Sequence, residues 1–213
     1  MMSSVRELII TVVTVLIAIS MHELAHGYVS YKLGDPTPKE DGRLSLNPLA
    51  HLDLMGTLCL IFFKFGWAKP VKVNPYYYKK HKLGMVLVAI AGPIMNFILA
   101  FFSIAIIGVI IKLTDGYLGK VYYNIYMFFQ YLALINIGLG VFNLIPVPPL
   151  DGSKVLSAIV PEDKYFSYMK FEKYGYLVLM VLLFTGVLDI PLDYVREAIT
   201  NGMTGIVSAV LSL

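Results

Sequence analysis

Between Leu83 and Ile111, and again between Val121 and Leu150, the chain carries no Asp, Glu, Lys or Arg. Each run exceeds the roughly 20 apolar residues that an α-helix needs to cross the hydrocarbon core of a bilayer. No soluble domain leaves two such stretches uninterrupted, so the chain must fold in lipid. Inside lipid every backbone N–H and C=O has to be satisfied within the segment, which restricts these runs to helices. Composition agrees, with 58% hydrophobic and only 15% charged residues, against about 25% charged in soluble proteins.

With charges as punctuation, further spans emerge. Leu8 to Tyr31 qualifies despite Glu23 and two histidines, and Tyr174 to Leu188 is a shorter fourth candidate. Ala198 to Leu213 is uncharged but rich in Gly, Ser and Thr, and is left open between spanning and interfacial. Leu54 to Phe63 is too short to cross and reads as re-entrant or packed on the helices. Short apolar/polar alternation at Gly42–Leu46 and Pro70–Val73 suggests a small β-hairpin. The expected fold is an all-α polytopic membrane protein with four to five membrane helices. A small β-hairpin or re-entrant segment lies between the first two spans, and residues 1–213 form one domain.

The net charge of +3 does not indicate nucleic acid, because the basic residues flank apolar runs. Loops 32–82 and 151–173 hold 13 of the 17 Lys and Arg, whereas Arg6, Lys112, Lys120 and Arg196 fall on the opposite face. The positive-inside rule then places the long loops in the cytoplasm. The expected location is the cell membrane of a prokaryote. No small-residue cleavage site follows the first apolar run, so that run is expected to stay on the mature chain. The single Cys59 excludes an intramolecular disulfide.

The chemistry sits in the first span. His22-Glu23-Leu24-Ala25-His26 has the pattern H-E-x-x-H. Histidines at i and i+4 share a helix face and reach one Zn²⁺, while the glutamate stands beside the metal as an acid/base. With four His and six Glu in the chain, a shuffled sequence would contain this pattern with a probability of about 0.002. Ionisable groups in a membrane segment also cost roughly 2.5 kcal/mol or more unless paired or coordinating. A catalytic zinc takes a third protein ligand and keeps one position open. Candidates are His51, Asp53, His81 and Asp151. Asp151 follows a run broken by Pro146, Pro148 and Pro149, and locally it reads equally well as the cap of a following helix. Topology favours the ligand, since Asp151 and the C-terminal part of the first span approach the same side.

Together with Asn143-Leu144-Ile145-Pro146-Val147-Pro148-Pro149-Leu150-Asp151-Gly152, the H-E-x-x-H pattern resembles the site-2 protease family of intramembrane zinc metalloproteases. Gly42-Arg43-Leu44-Ser45-Leu46-Asn47-Pro48, Gly66-Trp67-Ala68-Lys69-Pro70-Val71, and Ala91-Gly92-Pro93 with Asn96 extend the match over about residues 20 to 155. The resemblance implies one zinc per chain held by His22, His26 and Asp151, Glu23 as the catalytic acid/base, and Asn143 near the substrate or oxyanion. Asn96 is a second oxyanion candidate, with a bond between helices as its alternative. At this length the chain is expected to lack the PDZ insertion and CBS tail of larger members. The implied activity is hydrolysis of a peptide bond within or near the transmembrane segment of a single-span substrate, as in regulated intramembrane proteolysis. Two other classes use similar residues: a transporter or proton/metal channel, and a catalytically silent membrane chaperone. No inverted repeat supports the first, and the intact Glu23 and ligands oppose the second.

Overall fold

A computed structural model describes residues 5–53, 56, 69–161, 164 and 172–212. Helix α1 (Val5–Lys32) is followed by the short α2 (Thr37–Glu40). Two long helices, α3 (His81–Leu113) and α4 (Lys120–Asn143), coincide with the two uncharged runs. A short α5 (Asp151–Val155) precedes α6 (Glu172–Phe184) and α7 (Asp189–Leu211). Among the described residues three helices, α1, α3 and α4, are long and apolar enough to cross a membrane, and the bent pair α6 and α7 makes a fourth if taken as one span.

The three long helices pack on one another through small residues. Ala18, Ala89 and Ala100 are buried between them, and Gly140 of α4 sits so close to the Phe97 ring that a Cβ there would lie 2.8 Å from it. Small side chains allow the close backbone approach on which membrane helices depend for their attraction. Leu87, Ile94, Ile98, Phe102 and Val109 of α3 face outward, where lipid is their solvent. Helix α7 lays Leu192 and Val207 against Ala100, Ile104, Ala133, Ile137 and Val141.

The fourth span differs from expectation. Tyr174–Leu188 is not one helix, because α6 ends at Phe184 and α7 leaves it at 84°. Gly186 adopts φ +67° at the break, a conformation that glycine enters without steric cost and that ends helices. Ala198–Leu211 is instead the second half of α7, whose end meets α3 where the Lys112 ammonium donates to the Leu211 carbonyl. Arg196 therefore lies along the bundle beside Gly138 rather than in a loop beyond it.

The hairpin is absent. Neither 42–46 nor 70–73 forms a strand: the Gly42 and Arg43 N–H groups go to backbone carbonyls of the preceding turn, and the Ser45 and Pro70 carbonyls and the Val71 N–H are bonded to side chains. The Arg43 guanidinium donates to the carbonyls of Ala50, Lys69 and Pro70, and the Val71 N–H donates to Glu23. Most of Leu54–Phe63 lies outside the described residues. Of the three consecutive tyrosines, Tyr76 is exposed, whereas Tyr78 is buried and its hydroxyl meets Ser30.

Candidate metal centre

His22 and His26 stand one turn apart on α1, both buried, with ring centroids 4.5 Å apart. Each ring is fixed by its Nδ1. His22 Nδ1 lies 2.6 Å from Asn96 Oδ1, and His26 Nδ1 lies 2.6 Å from the Val88 carbonyl. The Asn96 amide group donates to the Ala18 carbonyl at 3.2 Å and to Asn136 Oδ1 at 2.8 Å, so its oxygen must face His22. Both Nδ1 atoms accordingly carry the proton, and both Nε2 atoms present a bare lone pair.

The turn after α4 brings in the third group. It doubles back so tightly that a Cβ on Gly152 would collide with the carbonyls of Leu144 and Ile145, which leaves glycine as the residue that fits after Asp151. Asp151 is the first residue of α5, and its carboxylate faces the two histidines. Its Oδ2 lies 3.1 Å from His22 Nε2 and 3.0 Å from His26 Nε2, while the two Nε2 atoms are 3.0 Å apart. Lys154 Nζ is 3.7 Å from the other oxygen, Oδ1.

Three electron-pair donors thus converge with no hydrogen between them. In a buried site that arrangement is repulsive unless a cation sits among them. Zinc bound at 2.0–2.1 Å with tetrahedral angles keeps its ligands about 3.4 Å apart, close to the triangle observed, so the donor set fits the ion. Gly92 makes the space. A Cβ there would stand 2.6 Å from His22 Cε1 and 2.7 Å from His22 Nε2, and would also overlap His26 Nε2.

Glu23 is half-buried on the neighbouring face of α1, and its Oε2 accepts the Val71 N–H at 2.9 Å. It borders a cavity of about 320 Å³ together with the ligands, Val71, Val73, Tyr78 and Asn143. Asn143 donates one amide hydrogen to the Leu139 carbonyl at 3.0 Å, which leaves the second for the cavity. Asn96 is fully buried, with both amide hydrogens committed between helices. The other third-ligand candidates lie elsewhere. His51 faces the Ser45 carbonyl, Asp53 accepts from the Gly56 N–H, and His81 faces the Pro75 carbonyl.

The segment that carries Val71 is also held from its other end. Asp35 Oδ2 accepts the Asn74 N–H and the Ser30 hydroxyl, both at 2.7 Å, and Oδ1 accepts the Thr37 N–H. Burial would raise the Asp35 carboxyl, yet these hydrogen bonds keep it below its ordinary value.

The sequence model described as Peptidase family M50 matches residues 10–186, which include the whole ligand set. The chain belongs to peptidase family M50. YwhC of Bacillus subtilis (strain 168) is 41% identical over 174 residues, covering 82% of this chain and 80% of that protein. Rip2 of Mycolicibacterium smegmatis is 25% identical, over 88% of this chain and 71% of its own length. MJ0392 of Methanocaldococcus jannaschii is 29% identical, over 79% of this chain and 40% of its own. All three carry "zinc metalloprotease" in their names. No solved structure matches the chain. As an M50 member the chain is a zinc-dependent protease, with His22, His26 and Asp151 placed to bind the metal.

Asn136, the Val88 carbonyl and the Val71 peptide were not foreseen in this M50 site. Asn136 had a visible signal, a carboxamide in an uncharged span; the two backbone groups have none. Because Asn96 orients His22, Asn96→Ala is expected to weaken zinc binding about 10- to 100-fold, the usual effect of losing such a partner. Competition with a chromophoric chelator measures it. Unchanged affinity would remove Asn96 from the support of the site.

Proposed function

We propose that this protease hydrolyses a peptide bond within or near the transmembrane segment of a single-span membrane protein, on the cytoplasmic side of the cell membrane. One observation carries the reading: the His22, His26 and Asp151 cluster, with Glu23 beside it, opens into a cavity at the loop-bearing end of a bundle of membrane helices. The charge asymmetry puts those loops in the cytoplasm, and without Arg196 it is 13 against three.

In this reading His22, His26 and Asp151 are the ligands. Zinc held there supplies a Lewis acid for the peptide carbonyl and lowers the pKa of water to about 7. Glu23 takes a proton from the attacking water and returns it to the leaving amine. Asn143 turns its remaining amide hydrogen toward the substrate carbonyl, and Asn96 acts one step back by holding the His22 ring. A helical substrate shields its carbonyls, so it must unwind before attack. The extended segment Pro70–Val73 flanks the cavity and offers a backbone edge to which an unwound segment can add as a strand.

Depth sets where the cut falls. His22 lies 14 residues after Leu8, about 21 Å along a helix in a core about 30 Å thick, which corresponds to the cytoplasmic third. Purified protein incubated with single-span substrates should therefore cut inside the hydrophobic segment near its cytoplasmic end. Helix-breaking Gly or Pro near the cut should speed the reaction. Product masses decide the matter, and cuts confined to soluble loops would overturn the intramembrane reading.

A further inference from the structure

Arg43 is a charged side chain, 5% exposed, outside the metal cluster. Among the described residues its guanidinium has no carboxylate partner, and it donates only to backbone carbonyls. One nitrogen meets the Ala50 carbonyl, and the other meets those of Lys69 and Pro70, the latter at 2.8 Å. These carbonyls belong to two stretches of chain, one ending near Ala50 and one beginning at Lys69. Between them the Lys69 N–H donates to the His51 carbonyl at 2.9 Å, and His51 Nε2 faces the Ser45 carbonyl at 2.8 Å. Arg43 itself is tied to the α2 region by its own N–H, which donates to the Pro38 carbonyl at 2.8 Å.

The residue after Pro70 is Val71, whose N–H reaches Glu23. We infer that Arg43 is a positioning residue for peptide hydrolysis: it fixes the register of Pro70–Val73, and through the Val71 peptide it sets both Glu23 and the substrate-pairing edge against the metal site. The inference rests on the reading of Glu23 as the acid/base of an intramembrane protease. A planar fork of charged donors can gather three carbonyls from two directions, whereas a lysine ammonium is a point charge on a flexible stem. At the far end of the segment Asp35 holds Asn74, and at the near end the Lys69 N–H still meets the His51 carbonyl, so loss of Arg43 loosens one end and lets the edge slide rather than detach. Sliding by about 1 Å is enough to cost roughly 10²-fold in rate.

The test uses the full chain, zinc-loaded, with a single-span substrate in vesicles. Arg43→Ala, Arg43→Lys and Glu23→Gln are compared for zinc content, thermal midpoint, kcat and KM. Arg43→Ala should keep its zinc while kcat falls about 100-fold and KM moves by less than about threefold. Arg43→Lys should lie between Arg43→Ala and wild type. Ethylguanidinium added to Arg43→Ala should restore part of the lost kcat and leave Glu23→Gln unaffected. Wild-type kcat in Arg43→Ala would overturn the inference, as would a loss that follows zinc and melting and is not rescued by ethylguanidinium. If Arg43→Ala does not fold, the decision passes to Arg43→Lys, where wild-type kcat would overturn the inference and a drop of about tenfold at full zinc would support it. Failure of wild type to cleave, or full activity in Glu23→Gln, would instead bring down the underlying protease reading and this inference with it.

Discussion

Cleavage by Glu23→Gln is expected to fall about 10³- to 10⁴-fold, the upper part of the range for a general acid/base group, while one zinc per chain remains. Two features separate metal from activity here. Glu23 is not among the three atoms that converge on the ion; its carboxylate accepts the Val71 N–H instead. A glutamine has the same reach, and its amide oxygen still accepts that N–H, so the Pro70–Val73 segment keeps its place. What the amide cannot do is take a proton from water. The measurement pairs metal analysis with substrate cleavage on the same preparation. Full activity in Glu23→Gln would sink the mechanism, and loss of zinc would show that the side chain contributes to binding the ion.

Gly92→Ala should have an effect of the opposite character, with zinc and activity lost together. The added methyl group would stand 2.6 Å from His22 Cε1 and 2.7 Å from His22 Nε2, well inside van der Waals contact. Both rings are pinned at Nδ1 by Asn96 and Val88, so they cannot swing aside without abandoning the bonds that orient them. Zinc affinity should fall at least about 100-fold, given that loss of a single orienting partner costs 10- to 100-fold. Helix content by circular dichroism should persist, because alanine is a better helix former than glycine. Gly205→Ala on α7, where nothing lies within 4 Å of the added carbon, is the control and should behave as wild type. Normal zinc occupancy in Gly92→Ala would mean that the space beside the histidines is not what permits the site.

The contrast between these variants shows what the sequence could and could not convey. Glu23 is legible because four-residue spacing places His22 and His26 on one face and a glutamate next to the first. Asp151 was open on local grounds, since Asp-Gly-Ser also reads as a cap, and resemblance and topology favoured it. Gly92 reads as a packing residue, but that it packs against the ligand rings depends on the crossing of α1 and α3, which no local pattern encodes. The Val88 carbonyl has no side-chain signature at all. The alternation at Gly42–Leu46 failed as a strand signal because the Gly42 and Arg43 N–H groups donate back to the carbonyls of Lys39 and Pro38 and the Ser45 carbonyl faces His51. The bend that interrupts Tyr174–Leu188 was not legible because hydropathy counts apolar residues without registering a single glycine at positive φ.

His26 and Asp151 are separated by 125 residues along the chain. At synthesis rates of about 5–20 residues per second, roughly 6–25 s pass between the appearance of His26 and that of Asp151. Throughout that interval α1 already carries its two imidazoles and Glu23 into the membrane, yet the third donor does not exist. A newborn chain consequently holds two of the three donors and no complete metal site until Asp151 has been made. Competence arrives only when α4 has been threaded and the turn behind it closes, so the order of manufacture works as a safety catch.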